Sequence, residues 1–328
     1  MMQTPTSKKD SGATLLSVLL LIVLMSTAAL AATDALARSV HVSRVSADRA
    51  DSFWAVRSAL SVGEEVINEL LAQSGGKLDV DSAIFSQPIA FTYPRGTISV
   101  DLYDATNCLN LNSLVLSDAE DAGGEIALDQ LHRLFEGAGL FSTEAREMVD
   151  TLADWMDADT SPRAFGGEDA MYQNRDVPHR APGQRLVSSE DLRAINGFTP
   201  DTFTAISHLV CVRSDTTNPP LNINTLTDAD APLLAARFSE NLSVSEAERL
   251  ILSRPSGGWL NVEEFLLSES VVSIAPELRR DDDLSTVSSV IGAVITVSSD
   301  SGDVFIDATY GRGDNGQFAL LGSHRRLH

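Results

Sequence analysis

The run ATLLSVLLLIVLMSTAALAA, from Ala13 to Ala32, carries no charge and matches the roughly 20 residues a helix needs to cross a bilayer. Lys8 and Lys9 precede it, and positive charge before a first apolar segment holds that end in the cytoplasm. The remainder of the chain should lie on the far side. An amphipathic helical pattern continues through Leu36, Val40, Phe53, Val56, Leu60, Ile67 and Leu70, with no polar break before Gly75-Gly76. One helix from 13 to 75 is therefore expected, half anchor and half stalk. The competing reading is a cleaved secretory signal, because Ala29-Leu30-Ala31 satisfies the small-x-small cleavage pattern. The chain would then be a signal-peptide-bearing periplasmic binding protein, calcium-dependent if the acidic loop described below holds that ion.

The 328 residues are 43% hydrophobic, enough to bury a core, and the formal charge is −22. That charge opposes nucleic acid, whose binding relies on Lys and Arg neutralising phosphates. After Lys9 the sole lysine is Lys77, so a Gly-Lys-Ser/Thr phosphate loop has no residue to use. The chain has two cysteines. In an oxidising compartment Cys108 and Cys211 either bridge or remain two buried thiols.

Strand patterns occupy two separated stretches. Ile89–Tyr93 and Thr97–Tyr103 alternate around Pro94-Arg95-Gly96, the signature of a hairpin. Val290–Val297, Val304–Tyr310 and Gln317–Leu321, split by SSDSGD and GRGDNG, form a β-meander. Between them, 111–284 reads as helical, with starts at Ser142, Ser188, Ser245 and Asn261; Glu248 and Glu264 complete capping boxes for the last two. A helical block interrupting a small sheet is an inserted domain.

A short polar leader ending in glycine, then a small residue and an apolar helix running on as a stalk, resembles a type IV pilin or pseudopilin precursor. The resemblance implies cleavage by a prepilin peptidase between Gly12 and Ala13. Such proteins carry Glu as the fifth mature residue, whereas here Ser17 takes that place. A subunit without that carboxylate cannot pair in the usual way with the subunit above it, which points to the topmost position. Asn110-Leu111-Asn112 within DATNCLNLNSL, the LADWMDAD run with GGEDAMY after it, SSEDLRAINGF and PLNINT extend the likeness. In that order they resemble the minor pseudopilin K family of type II secretion. The implied fold is α+β: a pilin-like N-terminal helix packed on a small antiparallel sheet, with a large all-α insert containing helix-hairpin-helix (SAM-like) modules. The implied organisation is a leader at 1–12, helix at 13–75, first sheet segment at 76–110, insert at 111–284 and meander at 285–328. The implied location is the inner membrane, single-pass, with a periplasmic C-terminal part. The implied partners are the I- and J-type minor pseudopilins of the pseudopilus.

Asp154, Asp157 and Asp159 crowd the end of a predicted helix, and Glu168 follows a Pro- and Gly-containing loop. Carboxylates this concentrated repel one another unless they are solvated, protonated or bridged by a cation. Calcium takes six to eight oxygens from flexible loops, and the family resemblance also implies calcium. Asp157, Asp159 and Glu168 are the expected ligands. Asp154 belongs to the set or faces outward, and Tyr172 offers a backbone carbonyl. A second acidic group sits at Asp118, Glu120 and Asp121. SSEDLRAINGF with Thr199–Leu209, and NINTLTDADAPLLAARF with Ser245–Arg254, look like helix-hairpin-helix modules used for protein packing rather than DNA. His41, His132, His179, His208, His324 and His328 show no ligand spacing, and the usual hydrolase motifs are missing. No catalytic residue is expected.

Overall fold

The computed structural model describes residues 10–73, 77–94, 96–114, 122–175, 177–279, 281–299 and 302–326. Residues 1–9 of the expected leader at 1–12, the Gly75-Gly76 break, Arg95, the acidic group at Asp118, Glu120 and Asp121, and His328 lie outside them.

Helix α1 runs unbroken from Asp10 to Gln73, about 95 Å at the usual rise per residue. From Leu15 to Met25 its large apolar side chains are all more than half exposed. The helix is long and apolar enough to cross a membrane. Its lower half packs on the sheet as the expected stripe requires at Ile67, which is buried, and at Val56, Leu60 and Leu70, which lie half-buried against the same core. Ala55, Ala59, Ile67 and Leu71 are buried, while Leu36, Val40 and Phe53 are exposed. With Gly63, the buried residues form a lane at steps of four, one ridge of an α-helix. Small residues let the helix close on the sheet, and the exposed Leu36 and Val40 lie ahead of the stretch that packs on it. Gly63 illustrates the fit: a Cβ there would stand 2.7 Å from the Tyr310 hydroxyl, which donates to Leu60 O at 3.0 Å.

After the short helix α2 (Ala83–Ser86) come β1 (Ile89–Tyr93) and β2 (Gly96–Asp104). The chain then leaves the sheet, forming the two-residue strands β3 (Leu109–Asn110), β4 (Val210–Cys211), β5 (Leu221–Asn222) and β6 (Leu284–Ser285). It returns as β7 (Val290–Ser299), β8 (Gly302–Arg312) and β9 (Phe318–Arg325). The five long strands are ordered β1-β2-β7-β8-β9 and are antiparallel throughout. Asp104, ending β2, faces Ile291, near the start of β7, so the whole insert sprouts from one end of a neighbouring strand pair. The apolar interior divides accordingly. One cluster joins α1 to the sheet, from Ala55 to Leu102 and from Ile291 to Phe318. The other lies wholly within the insert, from Leu109 to Leu284.

The insert consists of two units on one plan. Each starts with nearly the same hexapeptide, LNLNSL at 109–114 and LNINTL at 221–226. Each closes its neck with a two-residue parallel ladder, β3 on β4 and β5 on β6. The second asparagine of each hexapeptide then grips one distant residue by both backbone groups. Asn112 accepts from Leu186 N at 2.9 Å and donates to Leu186 O at 3.0 Å. Asn224 does the same to Trp259, at 2.8 and 3.0 Å. Two residues past each clamped residue comes an N-cap, Ser188 or Asn261. Asp191 and Glu264 reach back to the N–H groups just before those helices.

The first unit holds α3 (Ala122–Gly137), α4 (Ser142–Met156), α5 (Asp169–Gln173) and α6 (Pro200–Ile206). The second holds α7 (Ala231–Arg237), α8 (Val244–Leu252), α9 (Val262–Leu266) and α10 (Glu269–Val272). The predicted box at Ser245 and Glu248 is displaced. Helix α8 is capped by Ser243 with Glu246 as its reciprocal partner, because this pair satisfies orphan N–H groups two residues earlier. Ser245 and Glu248 are left exposed. At Asn261 half of a box forms: its side chain accepts from Glu264 N at 2.8 Å, while the Glu264 carboxylate takes Leu260 N instead.

Candidate metal centre

Helix α4 ends at Met156, and Asp157 turns extended as its C-cap. Glu168 is the N-cap of α5. The chain between them folds back so that carboxylate oxygens of Asp157, Asp159 and Glu168 all lie within 4.8 Å of one another. Asp159 also takes Ser161 N at 2.7 Å. Glycines permit the close wrapping. A Cβ at Gly166 would stand 2.0 Å from an Asp154 oxygen, and one at Gly183, where φ is +58°, would stand 2.9 Å from Asp157 O.

Asp154 lies apart from the converging set. It is fully buried and points under the loop, where it accepts from Arg163 N at 3.0 Å. Asp150, one turn earlier on α4, accepts from Phe165 N at 3.2 Å. An inner tier of two carboxylates thus holds the loop backbone, and an outer tier of three converges. The Tyr172 carbonyl is engaged elsewhere, accepting from Arg175 N and His179 N at 3.4 Å each. Its ring stacks edge-on against Trp155 at 4.9 Å and beside His179 at 5.1 Å, forming an aromatic wall. Asp150 and Gly183 had no place among the residues expected from sequence; the i, i+4 spacing of Asp150 and Asp154 on one helix face was the available signal.

Burial and mutual repulsion shape the electrostatics. Burial first, then Asp159, raises the Asp157 pKa. Glu168 is raised by burial and then by Asp157, Asp154 and Asp159. Asp154 is pushed up to about 6, chiefly by burial. One oxygen each of Asp157 and Glu168 is buried without a hydrogen-bond partner. Buried acceptors are ordinarily satisfied, and an uncompensated buried carboxylate is costly. A cation bridging the three would satisfy both requirements. An all-oxygen donor set suits a hard ion such as calcium, whereas zinc sites draw mainly on histidine and cysteine. No histidine joins a metal-ligating group among the described residues.

The other predicted site residues lie elsewhere. Gly12 and Ala13 are in the first turns of α1. The Ser17 hydroxyl donates to Ala13 O at 2.6 Å, so it meets its polar need within its own helix. Cys108 and Cys211 are joined in a disulfide with Cα atoms 5.7 Å apart, at the neck of the first unit. Arg213 braces it, donating to Ala105 O at 2.7 Å and lying 3.5 Å from Cys108 Sγ.

Two family models, both described as type II secretion system (T2SS), protein K, match residues 107–215 and 221–286. These are the two units of the insert, and together they span more than half the chain. A type II secretion system protein K relative from Escherichia coli (strain K12) is 32% identical, over 79% of this chain and 80% of its own length. The protein K of Pectobacterium carotovorum subsp. carotovorum is 29% identical over 78% of each. Among solved structures, the GspK-GspI-GspJ complex from the enterotoxigenic Escherichia coli type 2 secretion system is similar with a TM-score of 0.69 and 25% identity. That match covers 85% of this chain and 100% of that one.

Proposed function

This chain belongs to the type II secretion system protein K family, and from that premise we propose that it is a minor pseudopilin, set at the tip of a pseudopilus with I- and J-type subunits. It serves protein export as a structural component rather than an enzyme. The observation that carries this reading is the continuity of α1. A bare apolar segment passes without a break into a stalk that carries a small sheet, and the insert leaves that sheet at one end. A single-pass anchor in the inner membrane with the remainder periplasmic follows from Lys8 and Lys9 ahead of it. Helix association in lipid relies on close packing rather than on hydrophobicity, and the exposed Leu36, Val40, Phe53 and Trp54 extend such a contact surface beyond the bilayer.

Ser17 favours the topmost position. A carboxylate there would be expensive in lipid without a partner, whereas this hydroxyl is satisfied by its own backbone and asks nothing of a neighbour. The bulk of the insert has room at a tip. Mature chain beginning at Ala13 on N-terminal sequencing, and recovery of the full chain with I- and J-type subunits, are the expected results. A mature chain beginning at Ala32 would restore the signal-peptide reading and sink this one.

Calcium is the proposed ion of the acidic loop, held by Asp157, Asp159 and Glu168 with Asp154 as support beneath. Bound there, it would supply charge neutralisation and loop closure, with no chemistry to perform. Loss of calcium binding in Asp157→Asn and Glu168→Gln, measured by calorimetry on the full chain, is the expected result; undiminished binding refutes the assignment. Residues 188–209 are proposed as a helix-hairpin-helix module for protein packing. Gly197 at φ +88° makes the turn, and a Cβ there would stand 2.9 Å from Met148 Cγ. The turn packs inward on α4.

A further inference from the structure

We propose that the outer edge of β9 at residues 321–325 is a docking edge that receives an extended, acidic segment of a neighbouring subunit. This rests on the assembly reading above and names a contact surface within it.

Strand β9 closes one side of the sheet, so half of its backbone groups have no strand to meet. Near its start the chain covers them itself. Phe318 N donates to Asn68 Oδ1 at 2.8 Å, and Asn68 Nδ2 donates to Phe318 O at 2.9 Å, so one carboxamide acts as a one-residue strand. Leu320 N donates to Glu64 at 3.3 Å. A bulge comes next, where Thr309 pairs with Gly322 but Tyr310 pairs with Leu320. The extra residue, Leu321, shifts the phase of the strand. Arg326 N bonds inward to Phe305 O at 3.0 Å, so by alternation Ser323 and Arg325 point their N–H and C=O groups outward. Among the described residues no hydrogen bond takes these outward groups. The side chains of this stretch are exposed, Leu321 by 66%.

An open backbone edge selects an extended occupant, because only a strand can meet its alternating donors and acceptors. The adjoining surface selects its chemistry. Arg325 pairs with Ile306 across the ladder and so shares the inner face with it. There a groove of about 620 Å³ runs between the sheet and the stalk, lined by Phe53, Val56 and Ile306 and carrying two cations, Arg49 and Arg325, against one anion, Asp303. A strand added to β9 turns every second side chain toward this groove. Arg326 is already held by Asp307, at 3.0 and 2.6 Å. Arg325 makes no ion pair among the described residues. An acidic side chain on the incoming strand meets Arg325, and an apolar one rests on Phe53 and Val56.

Proline separates this contact from the fold, since at an outward N–H it leaves the β8–β9 ladder whole. The full chain, purified in detergent after co-expression with the I- and J-type subunits, is compared as wild type, Ser323→Pro, Ser323→Ala and Arg325→Glu. Ser323→Pro should reduce the captured subunits by about tenfold at unchanged melting temperature, the loss of about one buried hydrogen bond. Ser323→Ala should capture as wild type. Arg325→Glu should lose capture and does not depend on how the proline is tolerated. Full capture by both Ser323→Pro and Arg325→Glu overturns the proposal, as does an equal loss in Ser323→Ala. A wild-type chain that dimerises alone, and becomes monomeric with Ser323→Pro, shows a second copy on the edge and also overturns it. Wild type that captures neither subunit overturns the assembly reading itself, and the docking edge with it.

Discussion

The two units of the insert start from nearly the same hexapeptide and use the same asparagine clamp, yet they are closed by different means. In the second, α8 ends at Leu252 and the clamped Trp259 follows after one tight turn, with Gly257 and Gly258 at φ +83° and +81°. In the first, α4 ends at Met156 and the clamped Leu186 is reached only after the loop 157–185, whose sole regular element among the described residues is α5. Loop closure costs entropy that grows with length, and a loop with little regular structure must be held by other means. The first unit has them: carboxylates under and within the loop, an aromatic wall, and a disulfide across its neck. The neck of the second is held by polar side chains instead, with Asn222 donating to Asp104 at 3.2 Å and to Ser288 at 2.9 Å. A shared frame thus sets the position of each unit, and the first alone relies on a covalent bond and the proposed ion.

This difference can be broken in order of size. Replacing Cys108 and Cys211 by alanine together should cost the most. The bridge spans a sequence separation of 103, and a loop of that length is worth about 4.7 kcal/mol in the chain-entropy account. The loss should appear as reduced amide-exchange protection in α3 and α4, while α7 and α8 keep theirs; equal loss in both units would show that they are one cooperative block. Next come the clamps. Asn112→Ala and Asn224→Ala each leave two backbone groups of a buried residue unpaired, costing about 2–4 kcal/mol. Denaturant unfolding should find the two similar, and a much smaller effect for Asn112 would mean that the disulfide takes over its task. Chelating calcium should rank third. An ion at about a hundred times its dissociation constant contributes about 2.7 kcal/mol, and the melting temperature should fall only as far as the first unit is concerned. Unchanged melting on chelation discards the ion.

How much of this was legible beforehand depends on residue size and on distance along the chain. The apolar run to Ala32, the hairpin and the meander were readable because strong local patterns produce them. The buried lane on α1 was readable at Ile67 but not higher up, since Ala55, Ala59 and Gly63 do not register as an apolar stripe, and Phe53 does. The cap of α8 was misplaced because Ser243–Glu246 and Ser245–Glu248 have the same spacing, and packing decides between them. The hexapeptide repeat was in plain view, but its meaning lies in contacts with Leu186 and Trp259 that no local pattern carries. Within the acidic loop the crowding of carboxylates was visible; which of them face one another was not. Asp154 turned inward because its place on α4, one turn after Asp150, aims it beneath the loop rather than into it.

That inward carboxylate supplies the smallest and most discriminating prediction. Asp154 is pushed from an ordinary 3.8 to about 6, so between those values the folded chain holds a proton that the unfolded chain has released. Stability then falls as pH rises through this window, because burial outweighs the Arg163 guanidinium 3.8 Å away. Asp157 and Glu168 are raised as well and act in the same direction. The metal-free chain should lose about 1–3 kcal/mol from pH 4 to pH 6, on the scale of 1.4 kcal/mol for each pKa unit. Asp154→Asn, which still accepts from Arg163 N, should flatten much of that slope. Calcium should oppose it, because a cation beside the loop favours the ionised carboxylates and binds better as they lose their protons. Urea titrations at several pH values, with calcium and with chelator, give the comparison. A slope that is the same in wild type and Asp154→Asn would mean that Asp154 titrates as an ordinary surface acid. The distinction between the two tiers would then fail, and with it the case for the proposed ion in the first unit.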